Sequence, residues 1–475
     1  MFYASPLPDI ALPNTDIFSL VFGGLGADAA LPAITEVDSG RTLSYGELRD
    51  MAERVASGVA DGEVVALRQP NSAAFAAGLF GIARAGGVAV LLGHVLTSAE
   101  ADHLTTLSRA ARVIDPAEQP RDSFAPPARI DPQQVAVIPF SSGTTGLPKP
   151  VQLTHAAVTA NAAQFGAALR ASGIERGTRT FAPLPFSHIY GLNTLLLSSL
   201  AARHHVHTTA RFNLEEMVRV HREHAIELSF IAPPIARMLA KEQLDERAFD
   251  ACRFMVCGAA SLDEDLARAV ERRLDLTILQ GYGMTETAPV THVGIAGKST
   301  PGSIGFAVPN TQYRIVDLEH RADVAAGDAG ELLVRGPQLM RGYLGQPPLE
   351  EGAWLKTGDL ARQLDNGTVE IVDRVKDVFK YRGYQVSPAE LEAVLLTHPQ
   401  VADAAVAGVK RDGQDVPWGF VVFRGASTSN EALMRWVAAR VAPYKKLRGV
   451  TRVDEIPRNA AGKILRRKLP GAVGR

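Results

Sequence analysis

The densest chemical signal in the chain is the run Pro139-Phe140-Ser141-Ser142-Gly143-Thr144-Thr145-Gly146-Leu147-Pro148-Lys149. Small residues let a backbone loop pass close to a ligand, its hydroxyl and N–H groups donate hydrogen bonds, and Lys149 adds a positive charge. That donor set suits phosphate oxygens. The apolar residues 135–138 just before it read as a strand that would hold the loop's entrance. The string is not a Walker A loop, because the gap from Gly143 to Gly146 is too short and Pro150 follows the lysine. A Ser-Gly-Thr cluster by itself also suits an ordinary surface turn, so its meaning depends on what accompanies it.

Several downstream segments do accompany it. Gly281-Tyr282-Gly283-Met284-Thr285-Glu286-Thr287 sets a ring, hydroxyls and a carboxylate close together, although alone it reads as a glycine turn before a helix capped by Thr285. Thr357-Gly358-Asp359, alone, is a turn. It precedes Asp373-Arg374-Val375-Lys376-Asp377 and Lys380-Tyr381-Arg382-Gly383-Tyr384-Gln385-Val386. Near the end stands Pro457-Arg458-Asn459-Ala460-Ala461-Gly462-Lys463, whose continuation through Arg466, Arg467 and Lys468 also reads as a solvated basic tail.

In this order the segments resemble those of the adenylate-forming superfamily: acyl- and aryl-CoA ligases, peptide-synthetase adenylation domains and beetle luciferases. The likeness covers nearly the whole chain, and residues 2–21 are similar to the start of 4-coumarate-type CoA ligases. The resemblance implies that Ser141, Ser142, Gly143, Thr144, Thr145, Gly146 and Lys149 hold the phosphates of ATP. Tyr282 would stack on adenine, with Gly258, Ala259, Gln280 and Gly281 around the nucleotide. Thr285 would bond the α-phosphate and Glu286 would hold Mg2+. Asp359 and Arg374 would hold the ribose, and Lys376 would be a hinge. Lys380, Arg382 and Gly383 would meet the acyl pocket and the thiol tunnel, and Arg211 the phosphates of coenzyme A. Lys463 would clamp the carboxylate and the α-phosphate. An ammonium between two anions lets the carboxylate approach a phosphorus that would otherwise repel it. Residues 183–190 resemble the segment that brings an aromatic and His188 beside the acyl site, whose walls would include Tyr190, Thr194, Gly258, Gly281, Met284 and Val290. The chain departs from the family pattern at Pro150, where glycine is usual, at Ser261, where proline is frequent, and at Trp418, where a smaller residue is typical.

These groups need a scaffold, and the rest of the chain reads as one. Hydrophobic residues make up 46% and charged residues 21% of 475, the balance of a globular chain with room for more than one core. The net charge of −1 offers no global field for nucleic acid or an anionic membrane. Residues 45–61, after Ser44 as N-cap, 74–85, 193–203, 214–224 and 263–272 have helical character. Residues 63–67, 88–92, 180–183, 205–208, 227–231, 254–257 and 276–280 read as strands. That alternation predicts an α/β fold with a largely parallel sheet. After about Pro301 short β-type runs at 313–317, 330–335 and 369–372 predict a β-rich subdomain, and beyond Asp373 a small α+β unit follows. With the resemblance, which implies the roles and the mobility, the expected division is an adenylation domain at 1–375, built of α/β layered subdomains plus the β-rich one, and a mobile C-terminal domain at 376–475. The two cysteines, Cys252 and Cys257, are too few for a disulfide or zinc framework and fit a reducing cytoplasm. Residues 1–9 lack a secretory pattern, and Arg84 with several glycines interrupts the apolar stretch 74–92, so no membrane span is expected.

The function expected from all this is activation of a small carboxylic acid by ATP to the acyl-adenylate, then transfer to coenzyme A. The alternative acceptor is a carrier-protein phosphopantetheine. A non-catalytic nucleotide-binding regulator would be expected to show degenerate motifs, whereas Lys149, Glu286, Asp359 and Lys463 are all present. A luciferase-like oxygenase would share the first half-reaction, and no residue argues for oxygen chemistry.

Overall fold

Ser44 starts the first long helix as its hydroxyl suggests. It accepts the Glu47 N–H while the Glu47 carboxylate receives the Ser44 N–H, a reciprocal cap for the helix Tyr45–Ala56. The helix buries Tyr45, Leu48, Ala52 and Val55, packing on the helix Ala73–Arg84, which Ser72 caps in turn.

This computed structural model describes residues 2–116, 130–141, 148–382, 384–411, 414–425, 428–458 and 464–472, with the side chains of Lys380, Tyr384, Gln385 and Arg467 left aside. They form two units, one of Phe2–Tyr313 with Val334–Leu355, the other of Arg314–Leu333 with Lys356–Arg475. In the larger unit the strands Val64–Leu67, Val88–Leu91 and Val135–Ile138 pair in parallel, and Lys149–Thr154 joins Val135–Ile138 antiparallel. A second sheet has a parallel centre of His205–Thr208, Arg179–Ala182, Leu228–Ile231, Phe254–Cys257 and Thr277–Gly283. Leu228–Ile231 and Phe254–Cys257 are buried at every position, as expected of strands covered on both faces. The carboxyl ends of three of these strands, at Ala182, Cys257 and Gly283, lead directly into residues 183–190, 258–262 and 284–287. Ligands of open α/β sheets gather at such ends.

The helix expected over 193–203 begins earlier and is wider. Residues Tyr190–Leu197 form π-helical turns, with the Ser198 N–H reaching the Asn193 carbonyl, before an ordinary turn at Ser198–Ala201. Such widening recurs at functional sites.

In the smaller unit Leu355–Gln363 and Val369–Arg374 pair antiparallel. The strands Val401–Arg411, Gln414–Phe423 and Gly449–Arg452 form a sheet packed by the helices Pro388–Leu396 and Asn430–Ala438 around Val386, Leu391, Leu395, Val406, Val421, Leu433 and Val437. The unusual Trp418 has a local explanation. Its indole N–H donates to Thr451 Oγ1 at 2.9 Å, and its ring lies where a Cβ on Gly449 would come within 2.2 Å. Among the described residues, no helix is long and apolar enough to cross a membrane.

Candidate active site

The strand Phe140–Ser141 pairs antiparallel with the start of Lys149–Thr154, Ser141 opposite Lys149. Both ends of the proposed phosphate loop therefore stand side by side. Ser142, Gly143, Thr144, Thr145 and Gly146 lie outside the described residues. Ser141 is buried, and its Oγ has no hydrogen-bond partner among the described residues. A buried hydroxyl left so needs a ligand or water to satisfy it, which fits a phosphate oxygen.

Lys149 points toward a residue that the sequence reading passed over. Its Nζ lies 5.3 Å from the centre of the Tyr343 ring. Tyr343 pairs with Val151 across an antiparallel contact, so it is the diagonal neighbour of Lys149. The Tyr343 hydroxyl donates to Glu286 Oε1 at 2.8 Å. Burial first, and the neighbouring Glu286 carboxylate second, push the phenol well above its ordinary pKa, so it stays a donor. Glu286 itself is buried in the short turn Thr285–Thr287, where its carbonyl accepts the Met340 N–H at 2.8 Å. Thr285 is half-buried beside it.

The chain reaches that turn through Gly281, Tyr282 and Gly283 at the end of Thr277–Gly283. A Cβ on Gly283 would stand 1.8 Å from the Pro289 carbonyl oxygen, so only glycine lets the chain double back here. The Met284 N–H donates to the same oxygen at 3.2 Å. Tyr282 meets the His292 ring edge-on at 6.1 Å, and Gln280 is buried behind it. Val290 is fixed on both backbone groups by Asn161, at 2.7 Å and 3.0 Å.

Tyr190 and Gly258 meet at the end of Phe254–Cys257. A Cβ on Gly258 would come 2.8 Å from Tyr190 Cζ, and the Tyr190 hydroxyl donates to the Val256 carbonyl at 3.0 Å. Burial raises the Tyr190 phenol well above its usual pKa, so this donor does not ionise. Ala259 follows with φ +71°. Thr194 is buried, with no partner for its Oγ1 among the described residues. Asn71, also missed in the sequence, pins the approach to His188: it accepts the Phe186 N–H at 2.7 Å and donates to the Leu184 carbonyl at 2.9 Å. His188 is exposed, and so is Arg211, on the segment after His205–Thr208.

Within the smaller unit, Asp359 and Arg374 face each other in register, and Arg374 Nε stands 2.5 Å from Asp359 Oδ1. Thr357 Oγ1 accepts the Asp359 N–H at 3.1 Å and donates to the Leu332 carbonyl at 2.8 Å. Lys376 is exposed in the turn that follows. Lys380 lies on the strand Phe379–Tyr381, and Arg382 takes φ +52° with its guanidinium 5.4 Å from the Tyr381 ring. Gly383 and Lys463 lie outside the described residues. The two residues flanking 459–463, Arg458 and Ile464, form a β-bridge. Arg458 pairs with Asp403 at 2.8 Å, and Arg466 grips Glu392 through both carboxylate oxygens at 2.7 and 2.8 Å. Arg466 is therefore not part of a solvated tail. Burial raises the Glu392 carboxyl to about 7, and the Arg466 guanidinium opposes that rise.

Among the described residues, no group of three or more His, Cys, Asp or Glu is placed to hold a metal. A single carboxylate fits Mg2+, which takes its remaining ligands from substrate phosphates and water.

The family model of AMP-binding enzymes matches residues 27–125 and 115–344, and that of the AMP-binding enzyme C-terminal domain matches 390–463. The chain belongs to the AMP-binding enzyme family. This AMP-binding enzyme is 32% identical over 521 residues to 4-coumarate--CoA ligase 3 of Oryza sativa subsp. japonica, covering 98% of this chain and 94% of the relative. It is 33% identical over 525 residues to 4-coumarate--CoA ligase of Pinus taeda, covering 98% and 97%. Among solved structures, a benzoate CoA ligase from Burkholderia xenovorans superposes with a TM-score of 0.83 at 27% identity, over 96% of this chain and 99% of the other.

Proposed function

We propose that this AMP-binding enzyme is an AMP-forming acid–thiol ligase that joins an acyl or aryl carboxylic acid to coenzyme A. The observation that carries this reading is the meeting of Lys149 and Glu286 on one tyrosine, the first at its ring and the second at its hydroxyl, a cation for phosphates beside a carboxylate for their metal. The named ligase relatives, alike over nearly the whole chain, support it.

In the first half-reaction a carboxylate oxygen of the acid forms a bond to the α-phosphorus of ATP, and the bond to pyrophosphate breaks. Ser141 to Gly146 and Lys149 hold the phosphates, Thr285 orients the α-phosphate, and Tyr282 with Gly258, Ala259, Gln280 and Gly281 seats the adenine. Asp359 and Arg374 hold the ribose. Magnesium, when bound at Glu286, offsets charge on the leaving pyrophosphate. Lys463 neutralises the two anions that must approach each other. Tyr190, Thr194, Met284 and Val290, with His188 beside them, wall the acid.

In the second half-reaction the thiol of coenzyme A loses its proton and attacks the acyl carbon, and AMP leaves with the electron pair of the mixed anhydride. We assign residues 1–375 to the adenylation domain and 376–475 to a mobile domain turning at Lys376. Lys463 serves the first step, and Lys380, Arg382 and Gly383 serve the second. Arg211 meets the coenzyme A phosphates.

A panel of aryl and medium-chain acids, scored by pyrophosphate release with and without coenzyme A, tests the reading. Acid-dependent release with formation of an acyl-CoA thioester is the expected result. Thioester formed only on a holo carrier protein would move the acceptor to that alternative, and no acid-dependent release from any acid would contradict adenylation.

A further inference from the structure

Tyr343 is one residue with two contacts to the nucleotide machinery. Its ring faces Lys149 Nζ at 5.3 Å, and its hydroxyl donates to Glu286 Oε1 at 2.8 Å. The strand pairing that sets it there is short, Gly342 opposite Gln152 and Tyr343 opposite Val151, and is reinforced by the Arg341 N–H on the Gln152 carbonyl at 2.9 Å and the Leu344 N–H on the Pro150 carbonyl at 3.0 Å. The neighbouring Met340 N–H holds the Glu286 carbonyl. Residues 340–344 thus hold the strand that begins at Lys149 and the turn that carries Glu286 in one arrangement.

We infer that Tyr343 is the positioning residue of the ATP-metal site, its hydroxyl orienting the Glu286 carboxylate toward the metal and its ring seating the Lys149 ammonium. The inference rests on the roles of Glu286 and Lys149 given above. A carboxylate with one oxygen held by a phenol presents its other oxygen in a single direction, and such supporting hydrogen bonds set metal affinity. An aromatic face under an ammonium restrains a long, mobile side chain without neutralising its charge.

The two contacts separate in two substitutions. Tyr343→Phe keeps the ring and removes the hydroxyl, whereas Tyr343→Leu removes both. Binding of Mn2+, followed by electron paramagnetic resonance in the presence of α,β-methylene-ATP, reads the metal site without turnover. Tyr343→Phe should weaken Mn2+ binding by about 10-fold or more. Its KM for ATP at saturating Mg2+ should stay within about twofold, because the platform for Lys149 remains. Tyr343→Leu should add a rise of about two- to fivefold in that KM. Glu286→Gln is the control. If it leaves Mn2+ binding unchanged, the metal role of Glu286 fails and the inference with it. If Glu286→Gln weakens Mn2+ and Tyr343→Phe does not, the inference alone is overturned. A double mutant, Glu286→Gln with Tyr343→Phe, should bind Mn2+ no more weakly than Glu286→Gln itself, and an additive loss would also overturn it.

Discussion

Arg374 Nε stands 2.5 Å from Asp359 Oδ1, on residues directly opposite each other in an antiparallel pair. Strand register thus places a cation and a carboxylate as one rigid pair, and the carboxylate is the buried member. In the ribose role proposed above, this carboxylate would accept hydrogen bonds from the diol, with the guanidinium fixing its angle. Asp359→Asn keeps the shape and removes the charge. It should raise the KM for ATP about 10-fold or more, the weight of a hydrogen bond to a charged group, while the KM for the acid changes less than about twofold. Initial rates with each substrate varied in turn check this.

Gly258 has no room for a side chain. Its Cβ would press on Tyr190, whose hydroxyl is already committed to the Val256 carbonyl. Gly258→Ala should therefore shift the Tyr190 ring and narrow the acid site proposed above. The expected outcome is a change in acid preference toward smaller acids, of about 10-fold in relative kcat/KM, since small changes in pocket volume discriminate by that order. Competition between a bulky and a small acid measures it.

The larger unit carries buried histidines, with the half-buried His205, whose pKa values burial lowers to about 4 for His155, His204, His205 and His221 and about 3 for His207 and His292. Unfolded, each titrates near 6.5. Between about 6.5 and about 4 the unfolded chain binds more protons than the folded one, so stability falls as pH falls through that window. Each histidine contributes a slope of up to about 1.4 kcal/mol per pH unit. The His207 ring lies between those of His205 at 4.1 Å and His224 at 4.5 Å, each tilted against it, with Arg179 also near His205, so protonation there meets like charges. Urea unfolding at about pH 7.5 and about pH 5 should show lower stability at the acid end, and His207→Phe should reduce the difference.

Much of the scaffold could be read from sequence because its signals are local. Ser44 and Glu47 announce a helix start, and the runs Leu228–Ile231 and Phe254–Cys257 are apolar enough to be strands buried on both faces. Other elements left no local mark. The helix His155–Ala171 is buried on most of its sides, so it lacks the two-faced pattern that reveals a surface helix. The π-helical turns at Tyr190–Leu197 depend on packing that no spacing of residue types encodes. The same holds within the site. Lys149 and Glu286 stood out because they sit in dense motifs, whereas Tyr343 in Arg341-Gly342-Tyr343-Leu344 gains its place only through pairing with a distant strand. Asn71 and Asn161 are buried amides that hold the backbone of distant segments, a role that the short stretch around each does not announce.

The most direct test concerns Lys463. Lys463→Ala should abolish acid-dependent exchange of pyrophosphate into ATP, while thioester formation from supplied acyl-AMP and coenzyme A persists near the unaltered rate. Equal loss of both partial reactions in a folded variant, or exchange that survives the substitution, would contradict the assignment of Lys463 to the first step alone.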